Sequence, residues 1–193
     1  MAEDKSRAKA MEAVEAIFER YDLITRRTSS PLFDKHIMSG LHIETASSDG
    51  SVTFSLTIGP EYGNLNGVLH GGAAALIFDM CTTAALGPVA RPGFWDFLGG
   101  VTRSLNISYL KAIPIGTKIL IRSKVAQVGR TLALIRGEMV SEDGKTVYCT
   151  CEQHKVRVPT REEHRAVRVR WDEGWEKEEG REKEGGKREK AKL

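Results

Sequence analysis

Cysteine is scarce in this chain, with three residues in 193, at positions 81, 149 and 151. An odd count without framework spacing excludes a disulfide-stapled secreted scaffold and points to a reducing compartment. It also leaves too few ligands for a four-coordinate metal site, so no metal is expected. Aromatic residues are only 7% and are not interleaved with a basic stripe, and the formal net charge is +3. That balance does not signal nucleic acid but permits an anionic small molecule. The opening "MAEDKSRAKAMEAVEAIFER" has early acids and lacks an apolar segment, so it is no secretory signal. The cytoplasm is the expected location, with the mitochondrion as the alternative. The one long apolar run, Val68 to Ala90, holds Gly71-Gly72, Asp79 and Gly87-Pro88. Those interruptions fit a buried helix of a soluble domain better than a membrane span.

What is present is strongly patterned. Residues 5–27 set Ala10, Val14, Ile17, Phe18 and Tyr21 at helical spacing, which predicts an amphipathic helix ended by Ser29-Ser30-Pro31. "LHIETASSDGSVTFSLTI" reads as two strands about a Ser-Ser-Asp-Gly turn, with Val52, Phe54, Leu56 and Ile58 alternating against polar residues. Pro60 to Leu69 is a loop. Gly71 to about Leu86 is an apolar helix stopped by Gly87-Pro88. A second loop, 88–98, carries Phe94, Trp95 and Phe97. Four strand-like runs follow, with turn chemistry at 114–116, 129–130 and 142–145. Taken in order, they make a meander. The class is α+β, a long antiparallel sheet with one central helix that is apolar nearly all round and requires burial on all sides. From Thr160 onward, 34 residues hold 11 Lys/Arg and 10 Asp/Glu. Such a tail buries too little surface to offset its ordering entropy and is expected to be disordered or a solvated helix. Trp171 and Trp175, four apart, are its only candidates for anchoring a turn. The expected organisation is an N-terminal helical extension at 1–30, one domain at 31–158 and the charged tail at 159–193.

One carboxylate, Asp79, survives inside the apolar helix, nine residues after His70. An unpaired buried charge is expensive, so Asp79 either faces a watered pocket or bonds a neighbour such as Thr82 or Thr83. Gly71 and Gly72 open the helix. N–H groups there lack intrahelical partners, the dipole adds positive potential, and glycine admits a ligand close to the backbone.

The set Asn64-Leu-Asn-Gly67-Val-Leu-His70-Gly71-Gly72, followed by Asp79 and by "GGVTRSLNISYLKAIPIGTKILIRSKVAQVGRTLALIRGEM", resembles the hotdog-fold acyl-CoA thioesterases, of the phenylacetate-degradation and thioesterase superfamily member 2 types. The resemblance covers roughly 40–157. It implies a hotdog fold, a sheet wrapped around one helix, and hydrolysis of a fatty-acyl or aryl-acyl CoA to free acid and CoA. CoA enters as part of the substrate, and no resident cofactor is implied. The resemblance also implies a homodimer with shared active sites, and pairing of such dimers into a homotetramer is common in the family. By the same resemblance Asp79 activates water, and the Gly71 backbone N–H polarises the thioester carbonyl. Asn64 lies beside that carbonyl, and His70 opens the motif and supports its loop. Thr102 stands where relatives carry a Ser that helps hold the water. Arg130, after Gly129 in a hairpin, and Lys155, near the end of the last strand, are candidates for the nucleotide part of CoA, ahead of Lys111 and Arg103.

These roles suit the residue types, because thioester hydrolysis needs a positioned water, a base, and donors where charge develops on the carbonyl oxygen. From His70 to Asp79 the helix rises about 13 Å, too far for both to act on one atom in one chain. A dimer with shared sites removes that difficulty. Plainer readings stand beside each role. Asn64 is also a good turn residue after Gly63, His70 a loop organiser rather than a proton carrier, and Thr102 an ordinary strand threonine. Arg130 and Lys155 are also ordinary surface cations. Phe94, Trp95 and Phe97 either pack or line an acyl tunnel. The rival function is a non-catalytic acyl-CoA binder on the same fold, which would keep the glycine turn without needing Asp79.

Overall fold

In a computed structural model of the chain, residues 2–28, 32–96 and 100–174 are described. The amphipathic N-terminal pattern forms α1 (Ala2–Arg27), and a short α2 (Lys35–Gly40) leads into the sheet. Six strands follow the alternation read from the sequence: β1 (His42–Ala46), β2 (Ser51–Thr57), β3 (Val101–Tyr109), β4 (Lys118–Val128), β5 (Leu132–Ser141) and β6 (Val147–Val156). All pairs are antiparallel, in the order β1-β2-β4-β5-β6-β3. The apolar helix α3 (Gly71–Ala84) lies against β3, β4, β5 and β6.

Period-2 burial explains the core. Ile119 and Ile121 of β4, Ala133, Ile135 and Met139 of β5, and Cys149 and Cys151 of β6 turn inward. They meet Ala74, Ile77, Phe78 and Cys81 of α3. Each large side chain so buried contributes about 1.5–3 kcal/mol. Close approach of α3 to the middle of the sheet depends on Gly137. A Cβ there would stand 2.8 Å from Cys151 Sγ and 3.1 Å from both Phe78 and Thr82. The stretch Gly71–Val89 is long and apolar enough to cross a membrane, and here it is the core helix and the turn after it.

Two expectations change. The last four strands do not form a meander, because β3 pairs with β6, from Val101↔Val156 to Tyr109↔Cys149. The cause lies in the connection after β3. Leu69 N–H donates to Ile113 O at 2.8 Å, Ile115 N–H to Gly67 O at 3.0 Å and Gly116 N–H to Ile58 O at 2.7 Å. These bonds carry the chain across the end of the sheet to β2, where β4 begins, and they leave β3 as an edge strand.

The tail, expected to be disordered or solvated, packs on the domain up to residue 174. Val167 and Val169 are buried, and Arg20 of α1 donates to Val167 O at 3.1 Å and pairs with Asp172. Both charged groups are themselves buried. A paired buried charge is tolerated where a lone one is not, and charge counting along the tail conceals that pairing. A single turn, α4 (Glu162–Arg165), precedes this clasp. Trp175 lies outside the described residues. On its other side α1 reaches the sheet, where Phe18 stacks on Phe54 with centroids 6.0 Å apart.

Candidate active site

Asp79, Thr82 and Thr83 lie three and four apart on α3 and so share one face of the helix. That polar face meets β3 and β6. Thr102 and Lys155 are register partners there, and Gln153 lies two residues before Lys155 on the same side of β6. Asp79 Oδ1 accepts from the Thr102 hydroxyl at 2.6 Å and from Gln153 Nε2. Gln153 Nε2 also donates to Thr102 Oγ1 at 2.9 Å, and Gln153 Oε1 accepts from Thr82 Oγ1 at 2.6 Å. A carboxylate needs donors, which sets this orientation of the amide. Among the described residues nothing donates to Asp79 Oδ2. The carboxylate is half-buried, so one oxygen is anchored and the other is open.

Lys155, expected to contact the nucleotide of CoA from a strand end, is instead buried in this cluster at 3% exposure. Its ammonium donates to Thr83 Oγ1 at 2.8 Å and to Thr102 Oγ1 at 3.3 Å. The residue faces inward because it continues the buried series Cys149, Cys151, Gln153. Burial pushes its ammonium down to about 8, against the opposing pull of the Asp79 charge.

A second cluster sits at the other end of α3. His70 is the N-cap, and its Nδ1 accepts from Gly72 N–H at 2.9 Å. In the neutral ring this puts the proton on Nε2. The Gly71 N–H has no acceptor among the described residues and lies at the positive end of a 14-residue helix. Tyr109 Oη donates to Gly71 O at 2.8 Å, on the peptide that follows. Asn64 Oδ1 accepts from Asn66 N–H at 2.9 Å in an Asx turn. Its Nδ2 has no acceptor among the described residues. A cavity of about 370 Å³ opens beside this turn, lined in part by Leu69, Gly71, Ala74, Tyr109 and Ile113.

The structure therefore brings Asp79, Thr102 and Lys155 together, and separately His70 and Gly71, with Asn64 in the loop before them, its N–H donating to Val68 O at 2.8 Å. Arg130 is exposed at the tip of the β4–β5 hairpin. Gly129 closes that hairpin through its N–H to Leu132 O at 2.8 Å and accepts from Trp95 Nε1 at 2.6 Å. Trp95 is thus buried packing, and Phe94 lies under the Arg91 guanidinium at 4.7 Å. Phe97 lies outside the described residues. Lys111 and Arg103 are exposed. Sequence reasoning missed Gln153 and Tyr109. For Gln153 a signal existed, since it occupies a core-facing position of β6 that an apolar residue would otherwise fill.

Residues 66–148 match the Thioesterase superfamily. Over that segment, which is under half of the chain, the sequence is similar to that superfamily. Human acyl-coenzyme A thioesterase 13 is 29% identical over 97 residues, which span 50% of this chain and 66% of that protein. Zebrafish thioesterase superfamily member 2 superposes with a TM-score of 0.58 at 29% identity, covering 66% of this chain and 88% of that one. A hypothetical thioesterase from Streptococcus pneumoniae, solved with coenzyme A, shares the fold at a TM-score of 0.56 and 23% identity, over 66% of this chain and 97% of its own. The fold is the hotdog fold, and the enzyme class these relatives represent is thioester hydrolase.

Proposed function

We propose that the protein hydrolyses acyl-CoA thioesters, with Asp79 as base and the Gly71 N–H as the donor to the carbonyl oxygen. Asp79 Oδ2 accepts a proton from water while the water oxygen attacks the thioester carbon. Negative charge moves to the carbonyl oxygen, where the Gly71 N–H and the Asn64 side-chain amide receive it. When the intermediate collapses the C–S bond breaks, the acid is formed, and CoA leaves as thiolate and takes up a proton. The observation that carries this reading is the asymmetry of Asp79, anchored through Oδ1 and open at Oδ2.

Asp79 and Gly71 stand eight residues apart on one helix, about 12 Å. A second copy of the chain supplies the missing half. The β3 edge is open, and Val101, Tyr109 and Leu110 on or beside it are 51%, 55% and 60% exposed. Antiparallel pairing of two β3 strands about Leu105–Asn106 sets the Thr102 end of one against the Tyr109 end of the other. The Asp79 cluster of one protomer then faces the Gly71 turn of its partner. The 370 Å³ cavity beside that turn suits a fatty or aryl acyl group, and Arg130 remains the candidate for the nucleotide.

The test is release of free thiol from short-chain, long-chain and phenylacetyl CoA by wild type and Asp79→Asn. The variant should lose about 10²–10⁴ in kcat with an unchanged melting curve. Loss of activity in step with loss of folded protein would sink the catalytic role. Tight acyl-CoA binding by both without turnover would favour a sensor.

A further inference from the structure

Lys155 and Gln153 are a buried cation and a buried amide that the reaction as drawn above does not use. Their geometry restricts the one hydroxyl that touches Asp79 among the described residues. Thr102 has one proton and two lone pairs. The proton goes to Asp79 Oδ1 at 2.6 Å, and the two acceptor positions are taken by Gln153 Nε2 at 2.9 Å and Lys155 Nζ at 3.3 Å. All of its hydrogen-bonding capacity is committed within the protein. Thr102 is therefore bound to the carboxylate rather than left to bind water.

We propose that Lys155 is the positioning cation of the Asp79 site, acting through Thr102 so that Oδ1 stays held and Oδ2 alone is turned to water. This rests on the thioesterase reading for its kinetic consequences, but not for the pairing itself. Lys155 is buried while Asp79 is half-buried and Thr102 exposed, so the shared hydroxyl links an ammonium that would be costly alone to a carboxylate at the edge of solvent. The groups facing Lys155 are Asp79 and Thr83 from α3, Thr102 from β3 and Ala133 from β5. Of these only Asp79 titrates. Just beyond the end of its own strand the next cation is Arg157.

The kinetic test compares Lys155→Met, Lys155→Gln, Thr102→Val, Thr102→Ser and the Lys155→Met/Thr102→Val pair on an acyl-CoA that wild type turns over. Lys155→Met and Lys155→Gln should each lower kcat about tenfold or more with KM held. Thr102→Ser, which keeps the hydroxyl, should retain far more kcat than Thr102→Val. The double variant should be no worse than its poorer single, as expected when one residue acts through the other. Unchanged kcat in the Lys155 variants would overturn the proposal. So would a rise in KM at constant kcat, which would return Lys155 to holding CoA.

The second arm needs no activity. Urea unfolding of Asp79→Asn, Lys155→Met and the double variant measures their coupling. Asp79→Asn should destabilise the Lys155→Met background less than it destabilises wild type, and additive effects would overturn the pairing. If wild type hydrolyses no acyl-CoA while this coupling stands, the thioesterase reading has failed and the Lys155–Asp79 pair has not.

Discussion

Single residues decide this site through the number of hydrogen bonds each can make. Asp79 was recognisable as the odd member of an apolar helix, and Thr102 by its place in the resemblance. Their direct contact at 2.6 Å joins residues 23 apart, which no local pattern can show. Lys155 illustrates the limit better. Near a strand end a lysine is ordinarily a solvated cation, and only strand register reveals that it points inward at Asp79. Its burial has a pH signature. The folded-state value is about 8 against an ordinary 10.5. Below pH 8 both states hold the proton, and the cost of burying the charge is present in full. Between about 8 and 10.5 the unfolded chain holds the proton and the folded one does not, so stability contributed at this site rises with pH. The unfolding free energy of wild type relative to Lys155→Met should therefore increase from pH 7.5 to pH 10 in urea titrations. A flat difference would show that Lys155 is not buried charged. Gly137→Ala tests packing at the same scale. The added Cβ meets Cys151, Phe78 and Thr82 within 3.1 Å and should destabilise by about 1–3 kcal/mol, read from the urea midpoint.

At the scale of elements, helix ends carry the argument. His70 caps α3 through Gly72 N–H and leaves the preceding Gly71 N–H open, so one residue both starts the helix and exposes a donor. His70→Ala should cost about 1 kcal/mol of stability and His70→Asn much less, since Asn also caps. Equal melting temperatures for the two variants would refute the capping role. The long α1 was legible from its apolar spacing, but its second partner was not. Arg20 holds the segment around Asp172 across 152 residues of sequence. Asp172→Ala leaves the Arg20 guanidinium buried without that carboxylate and should cost about 3–5 kcal/mol, measured by thermal unfolding. Deletion of 160–193 should likewise lower the melting temperature of the domain. An unchanged melting temperature would restore the picture of a purely solvated tail.

For the whole molecule, the decisive feature is that a complete site spans two chains in the proposed dimer. Mixing two inactive variants tests it directly. Asp79→Asn carries a sound Gly71 turn, and Asn64→Ala, with Gly71 and Tyr109 intact, carries a sound Asp79 cluster. In a mixed dimer one site collects both defects and the other collects neither. Random re-pairing of equal amounts after mild dissociation should restore about a quarter of wild-type activity. No recovery, with mixed dimers demonstrated by a mass tag, would place both halves of the site in one chain. Light scattering should show at least a dimer, and disruption of the β3 edge should abolish activity before it abolishes folding.

The sequence by itself determined the elements, their turns and the reason Asp79 stands out. Alternation, helical spacing and Gly/Pro punctuation act over a few residues and are printed in the order of the chain. The α+β class and the Gly71–Asp79 helix follow from them. Tertiary structure decided the rest. It set β3 beside β6 because hydrogen bonds from 113–116 to 58–69 pull the connection across the sheet. It folded the tail onto α1 because a buried arginine found its carboxylate there. It also turned Lys155 inward against Thr102 and Thr83. Each of these is a meeting of residues far apart in the chain, fixed by register and by the need of every buried polar group for a partner.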